Sequence, residues 1–144
     1  MFLHVDPANG LAIYDQIVRQ IKFAVANGAL PVGEMTPSVR ELARELAVNP
    51  NTVARAYQQL QTERVLDSVR GLGLAVAAGA PKRCRSERLE LIAQRIREVL
   101  VEAQHSGLDA AEIRRIIDDQ LASLPSSSSD SSSKDSSSNG SSKR

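Results

Sequence analysis

The side chains best suited to chemistry are polar and basic residues in the first half of the chain. Asn51 and Thr52 open one polar run, and asparagine can bond the N6 and N7 edge of adenine. Arg55 follows one helical turn later, where it can reach a base or a phosphate. Arg40 and Arg44 lie four residues apart, a spacing that puts both on one helix face. These types and spacings indicate contact with duplex nucleic acid.

An enzyme is not indicated by the sequence. It shows no nucleophile–base pair, no cluster of metal ligands and no phosphate-binding loop. His4 and His105 are isolated, so we expect no metal and no cofactor. Cys84 is the single cysteine and lies in the basic run 82–85, where neighbouring cations would lower a thiol pKa. We interpret it as an incidental exposed thiol.

Three helices are expected to position the polar residues. Apolar side chains recur with a helical period over residues 11–27, and Gly28 is placed to end that helix. Ser38 and Glu41 form a capping-box pattern at the start of a second helix, which ends near residue 46. Asn49 is a good N-cap for a third helix over residues 50–63. Two short helices joined by a tight turn are typical of a helix-turn-helix.

A β-hairpin follows the third helix. Residues 65–69 and 74–77 read as strands around a glycine-containing turn, so the hairpin would be the wing of a winged helix. In that fold the start of the third helix reaches base edges and the second helix crosses the backbone. Two alternatives stay open. Arg44 can instead pair with Glu41 or Glu45, and Asn51 and Thr52 can be simple helix-start residues.

Four segments carry a family resemblance: 13–17 (IYDQI), 28–33 (GALPVG), 37–43 (PSVRELA) and 48–57 (VNPNTVARAY). They resemble the GntR family, and within it the small YtrA-type branch, over about residues 8–77. The resemblance implies a dimeric, repressor-like regulator, often acting on neighbouring transporter operons. It supports Arg40 most directly and places Arg70 and Gly71 at the wing tip. The expected DNA-binding residues are Ser38, Arg40, Arg44, Asn49, Asn51, Thr52, Arg55, Arg70 and Gly71.

The chain departs from the family pattern at several positions. Ala47 and Arg64 stand where the family has glycine, and left-handed backbone there would cost about 1 kcal/mol or more each. Leu72 and Leu74 replace a lysine and a threonine of the wing. Either the wing keeps a DNA contact through Arg70, or its apolar residues pack against protein.

The remainder, residues 80–124, is expected to form two helices. An apolar seam and a second capping box at residues 109–112 predict them. Two helices cannot enclose a ligand pocket, so no effector site is evident and a homodimer is the expected way to bury the seam. The expected dimerisation residues are Leu89, Ile92, Ile96, Val99, Ala103, Ile113, Ile117 and Leu121. Residues 125–144 contain twelve serines and are predicted to be disordered.

Charge alone does not support a nucleic-acid partner. The 18 basic and 17 acidic residues nearly cancel, and residues 1–79 carry seven of each sign. No apolar run is long enough to span a membrane, and the N-terminus does not resemble a signal peptide, so we expect a cytoplasmic protein.

The sequence therefore predicts a mainly α protein with a small β-hairpin. Its expected domains are a winged helix-turn-helix at 1–79, a dimerisation region at 80–124 and a tail at 125–144. The expected function is sequence-specific DNA binding at a two-fold operator, as a dimeric repressor of a small operon. The alternative is a protein-interaction module whose winged helix has lost strong DNA binding.

Overall fold

A computed structural model describes residues 3–125. The serines at 126–144, predicted to be disordered, lie outside the described residues. The mainly α fold with one hairpin is confirmed. Its elements are α1 (Ile13–Ala26), α2 (Val39–Leu46), α3 (Pro50–Thr62), β1 (Leu66–Val69), β2 (Gly73–Val76), α4 (Ala80–His105) and α5 (Ala110–Ser123). The chain divides into two compact units between Val99 and Leu100.

Helix α1 supplies one wall of the core of the first unit. Ile17, Ile21 and Val25 follow one another at four-residue spacing and are buried, as the helical period predicts. The buried Gln16 amide fixes the start of the helix. Its Nε2 donates to the carbonyl of Asp6 at 2.8 Å, and its Oε1 accepts from the Asp6 N–H at 2.8 Å. The chain before α1 is thereby held against the helix.

Helices α2 and α3 form the predicted helix-turn-helix. Leu42 on α2 and Val53 and Leu60 on α3 are fully buried. The Ser38 hydroxyl accepts from the Glu41 N–H at 3.1 Å. The reciprocal bond to the Glu41 carboxylate is absent among the hydrogen bonds of residues 3–125, so only half of the predicted capping box forms.

The two helices of this motif end in the same strained way. Ala47 has φ 55° and Arg64 has φ 58°, both in the left-handed region that favours glycine. After each, the next residue donates its N–H to a carbonyl five residues back, at 3.0 Å after Ala47 and 2.9 Å after Arg64. Those bonds satisfy helix-end carbonyls and hold the backbone in place. Ala47 and Arg64 replace glycines of the family pattern, and both do adopt the left-handed backbone that glycine would favour.

The wing is an antiparallel hairpin in which Leu66 pairs with Val76 and Val69 pairs with Gly73. Gly71 has φ 79°, which glycine adopts without strain in the tight turn. Residues 33–36 run beside β2, since Gly33 donates to the Val76 carbonyl at 2.9 Å. This third segment attaches the hairpin to the loop before α2.

The start of α4 belongs to the core of the first unit. Ala80 and Cys84 are buried in the same cluster as α1 and α3. The expectation of an exposed Cys84 thiol is wrong, because the helix turns that residue inward although basic residues surround it in sequence. Burial raises the pKa of Cys84, and the charge of Glu87 raises it further, against the opposite effect of Lys22. The functional division at residue 79 stays a prediction.

In the second unit, α5 begins with a complete capping box. The Asp109 carboxylate accepts from the Glu112 N–H at 2.9 Å, and the Asp109 N–H donates to the Glu112 carboxylate at 3.0 Å. Gly107, with φ 93°, follows the end of α4 in the left-handed backbone that glycine adopts readily. Leu100, Ile113 and Ile117 line an open apolar cleft of about 300 Å³. Within residues 3–125, no helix combines the length and apolar character that a membrane crossing requires.

Candidate nucleic-acid interface

The first turn of α3 exposes the residues predicted to read bases. Asn51 is exposed and Thr52 is partly buried. The Asn49 side chain caps the helix by accepting from the Asn51 N–H at 2.8 Å. Among residues 3–125, the Asn51 side chain forms no hydrogen bond, so its amide group is available to an outside partner. The buried Val53 and Leu60 hold the opposite side of α3 against the core.

Ser38 and Asn49 both have a structural role as helix caps. Their side-chain oxygens accept from backbone N–H groups, which leaves the Ser38 O–H and the Asn49 NH₂ as donors for a phosphate. A cap also fixes a helix N-terminus, where backbone N–H groups favour an anion such as phosphate. Both residues were predicted to bind DNA, and the structure shows that each also caps the helix that follows it.

Arg40 and Arg44 share a surface with the start of α3. Together with Val48 and Pro50 they line an open depression of about 370 Å³. Both arginines are exposed, and neither forms a salt bridge with any described residue. Among the described residues, Arg44 therefore forms no ion pair with Glu41 or Glu45. Two guanidinium groups beside an exposed helix start are suited to phosphate contact.

Arg55 lies over the ring of Tyr14, a residue that no sequence pattern links to the site. Its Cζ atom is 3.8 Å from the centroid of the Tyr14 ring, at the start of α1. In the sequence, Tyr14 lies within the helical apolar pattern of residues 11–27, and nothing there marks it as part of the site. The contact joins residues far apart in sequence, so no local pattern signals it.

Tyr57 is a core residue on the inner face of α3. The ring is almost fully buried, and its hydroxyl donates to the Pro37 carbonyl at 2.7 Å. Burial raises the pKa of Tyr57 to about 12. The bond ties the inner face of α3 to the loop before α2, so it helps to hold the two helices of the motif together.

The wing presents both of its tip features to solvent. Arg70 and Gly71 are exposed, and Leu72 is 75% exposed. Leu74 packs at the edge of the core. An inward-packed wing requires both leucines to be covered, and Leu72 is not. Leu72 and Leu74 line a cleft with Ser38, which places the wing beside the start of α2.

The chain is similar to proteins described as transcriptional regulators. Residues 13–76 match the pattern of the bacterial regulatory proteins of the gntR family. The HTH-type transcriptional repressor YtrA of Bacillus subtilis (strain 168) is 30% identical over 115 residues, which cover 80% of this chain and 88% of the repressor.

Solved structures agree with the sequence match. A GntR family transcriptional regulator from Listeria monocytogenes is 31% identical, with a TM-score of 0.59 over 77% of this chain and 96% of its own. YtrA from Sulfolobus acidocaldarius, a GntR-family transcription factor, is 32% identical, with a TM-score of 0.53 over 67% of this chain and 97% of its own. The chain therefore belongs to the gntR family of bacterial regulatory proteins and is a DNA-binding transcriptional regulator rather than an enzyme.

Proposed function

We propose that the protein binds a two-fold operator sequence-specifically, with α3 in the major groove. The observation that carries this proposal is the exposed, unbonded amide of Asn51 at the capped start of α3, beside Arg40 and Arg44. In this assignment Asn51 and Thr52 contact bases, and the two arginines contact phosphates. The wing adds a contact through Arg70.

The test begins with duplexes that the protein itself selects from a random pool. Binding of the selected duplex and of a scrambled duplex of equal length is measured by fluorescence anisotropy at several salt concentrations. We expect selected DNA to bind at least about 1000-fold more tightly, with affinity for both falling as salt rises. Failure to enrich any sequence, or equal binding of the two duplexes, would contradict sequence-specific binding.

The dimer of this proposal is supported by exposed apolar side chains in each unit. In the first unit, the outer part of α4 exposes Leu89, Ile92, Ile96 and Val99. In the second unit, Ala103 and Ile113 are partly buried, while Ile117 and Leu121 are exposed. Monomeric proteins rarely leave large apolar patches in water, and a second copy of the chain would cover these residues.

Replacing Ile96 and Val99 together by aspartate tests the dimer. The expected result is a change from dimer to monomer mass in light scattering, with the helical signal of the winged-helix unit retained. Matched aspartates at the exposed Gln94 and Glu98 serve as the control, since these positions lie on the same helix outside the apolar set. A double variant of unchanged dimer mass would rule out this surface.

The regulatory role of this proposal is repression of a small operon in the cytoplasm. It is supported by the B. subtilis relative, which is described as a transcriptional repressor. Linkage of the operon to a transporter follows only from the family resemblance. A reporter fused to the selected operator should be expressed more strongly when the gene is deleted, and lower expression would indicate an activator.

A second candidate function is a protein-interaction module with weak DNA binding. The exposed Leu72 at the wing tip favours it, because this leucine offers an apolar contact where a basic residue would contact phosphate. This candidate predicts weak binding of equal strength to selected and scrambled duplexes, so the anisotropy experiment separates the two functions.

A further inference from the structure

We propose that Tyr14 is a positioning residue for the DNA contact of Arg55, an inference that rests on the proposed DNA binding. The guanidinium of Arg55 lies over the Tyr14 ring, with 3.8 Å from Cζ to the ring centroid. A cation at this distance over an aromatic face is attracted by the ring electrons. The stacked arrangement therefore restricts an otherwise flexible arginine side chain before DNA arrives.

The ring is attached to a rigid part of the molecule. Tyr14 is partly buried against the core cluster. One turn further along α1, Ile17 is fully buried, and Gln16 bonds the backbone of Asp6 and Leu11. These contacts hold the backbone of the first turn of α1 in place. The Tyr14 ring on that turn is partly buried, so it is the more restricted partner of the exposed Arg55 side chain.

Stacking leaves the hydrogen-bonding edge of Arg55 available. The guanidinium carries five N–H donors, and the atom that lies over the Tyr14 ring is its central Cζ. Arg55 is exposed and forms no hydrogen bond or salt bridge with any other residue in the part of the chain that the structure describes. Its donors can therefore bond a phosphate or a base without breaking the contact with Tyr14.

Arg55 and Asn51 lie on the same face of α3. They are four residues apart in the helix, a spacing that brings side chains close together on one side. An arginine already held beside Asn51 loses less side-chain freedom on binding than a free one does. Tyr14, on a different helix, would therefore contribute to affinity for DNA without touching the DNA.

A double-mutant cycle tests the inference. Tyr14→Leu removes the ring but keeps an apolar side chain, and should weaken binding to the selected duplex by roughly two- to fivefold. In an Arg55→Ala background the same change should have no further effect, because the partner is already gone. Tyr14→Phe should retain the wild-type affinity, since the ring remains. Melting temperatures of all variants identify any loss of folded protein.

Three results would overturn the inference. The first is an equal loss from Tyr14→Leu with and without Arg55. The second is a loss from Tyr14→Phe as large as that from Tyr14→Leu, which would mean that the hydroxyl itself contacts DNA. The third concerns the free protein. Proton NMR should show the Arg55 side chain shifted by the ring current, and an identical Arg55 spectrum in Tyr14→Leu would exclude the stacking.

The outcome for Tyr14 is distinguishable from that for the proposed function. If the wild-type protein selects no DNA sequence, the proposed function is contradicted, whatever the NMR spectra show. If the wild-type protein binds selectively and Tyr14→Leu binds equally well, only the positioning role of Tyr14 is contradicted.

Discussion

The ammonium group of Lys22 lies 2.7 Å from a carboxylate oxygen of Glu87, a residue 65 positions later in the chain. A carboxylate oxygen of Glu63 lies 3.1 Å from the same ammonium. Lys22 is almost fully buried, while both carboxylates are partly exposed. The three residues connect α1, the end of α3 and the start of α4. Burying a charge is unfavourable unless opposite charges stay close to it. The two carboxylates therefore stabilise the folded protein by pairing with the buried ammonium.

Removing the partners of Lys22 should destabilise the fold. Glu87→Gln should lower the free energy of unfolding by about 1 kcal/mol, because Glu63 still faces the ammonium. The double change with Glu63→Gln should lower it by about 3 kcal/mol, because the charge is then buried without a carboxylate. Urea unfolding measures both values. Glu90→Gln, at an exposed position of α4, is the control. Equal effects of Glu90→Gln and Glu87→Gln would contradict the assigned role.

The pH dependence of this cluster follows from the charge of Lys22. Burial lowers the pKa of Lys22, but the bonds from Glu87 and Glu63 together outweigh it, so the pKa lies above 10.5. A pKa raised in the folded state stabilises the protein at all pH values below the ordinary value. That contribution is lost only as pH rises through the raised pKa. The stability difference between wild type and the double variant should therefore persist at pH 7–9 and shrink in more alkaline solution.

Arg40 and Asn51 should differ in how their loss affects DNA binding. Arg40→Ala should weaken selected and scrambled duplexes by a similar factor and lower the salt slope by about one unit, since a phosphate contact carries no sequence information. Asn51→Ala should cost about 1–3 kcal/mol at one base pair and relax the preference there. Anisotropy titrations against single-base variants of the operator measure both effects. Equal losses on selected and scrambled DNA for Asn51→Ala would show that it does not read a base.

The wing can be tested with one added charge. Leu72 is exposed, so Leu72→Lys should leave the melting temperature within about 2 °C of wild type. If the wing contacts DNA, the new lysine should tighten binding and raise the salt slope by about one unit. Val32→Lys is the matched control, because Val32 is also an exposed apolar residue and precedes Gly33 at the far end of β2.

The opposite result for the wing is equally specific. Unchanged affinity in Leu72→Lys, together with unchanged affinity in Arg70→Ala, would mean that the wing tip does not contact DNA. A lower melting temperature in Leu72→Lys without tighter binding would mean that Leu72 is covered by protein in solution.

Ala47→Gly should stabilise the protein. Ala47 has φ 55°, and glycine removes the steric strain of that backbone, worth about 1 kcal/mol. Thermal or urea unfolding measures the gain. The same substitution at the exposed Ala54, inside α3, should have the opposite sign and destabilise by up to about 1 kcal/mol. A loss of stability at both positions would show that Ala47 is unstrained.

Local patterns predicted the starts of three helices, and two of these helices, α2 and α3, carry the site. The caps at Ser38, Asn49 and Asp109 marked three helix starts correctly, because capping depends on residues close in sequence. The burial of Cys84 was missed because the basic residues around it suggested an exposed segment. In the structure, Ala80 and Cys84 lie one helical turn apart on the buried side of α4. The partners of Lys22 and the stacking of Arg55 on Tyr14 join distant segments, and helical periodicity contains no information about such pairs.

The two tyrosines of the chain can serve as intrinsic fluorescence probes of DNA binding. The sequence has no tryptophan, so tyrosine emission can be recorded without overlap. Tyr57 is buried on the inner face of α3, and burial raises its pKa to about 12, so its phenol stays neutral near pH 7. Tyr14 belongs to α1, and its ring lies under the Arg55 side chain of α3. Titration with a duplex should therefore change the emission of Tyr14 while Tyr57 provides a constant background, and Tyr14→Phe identifies the part of the signal that responds.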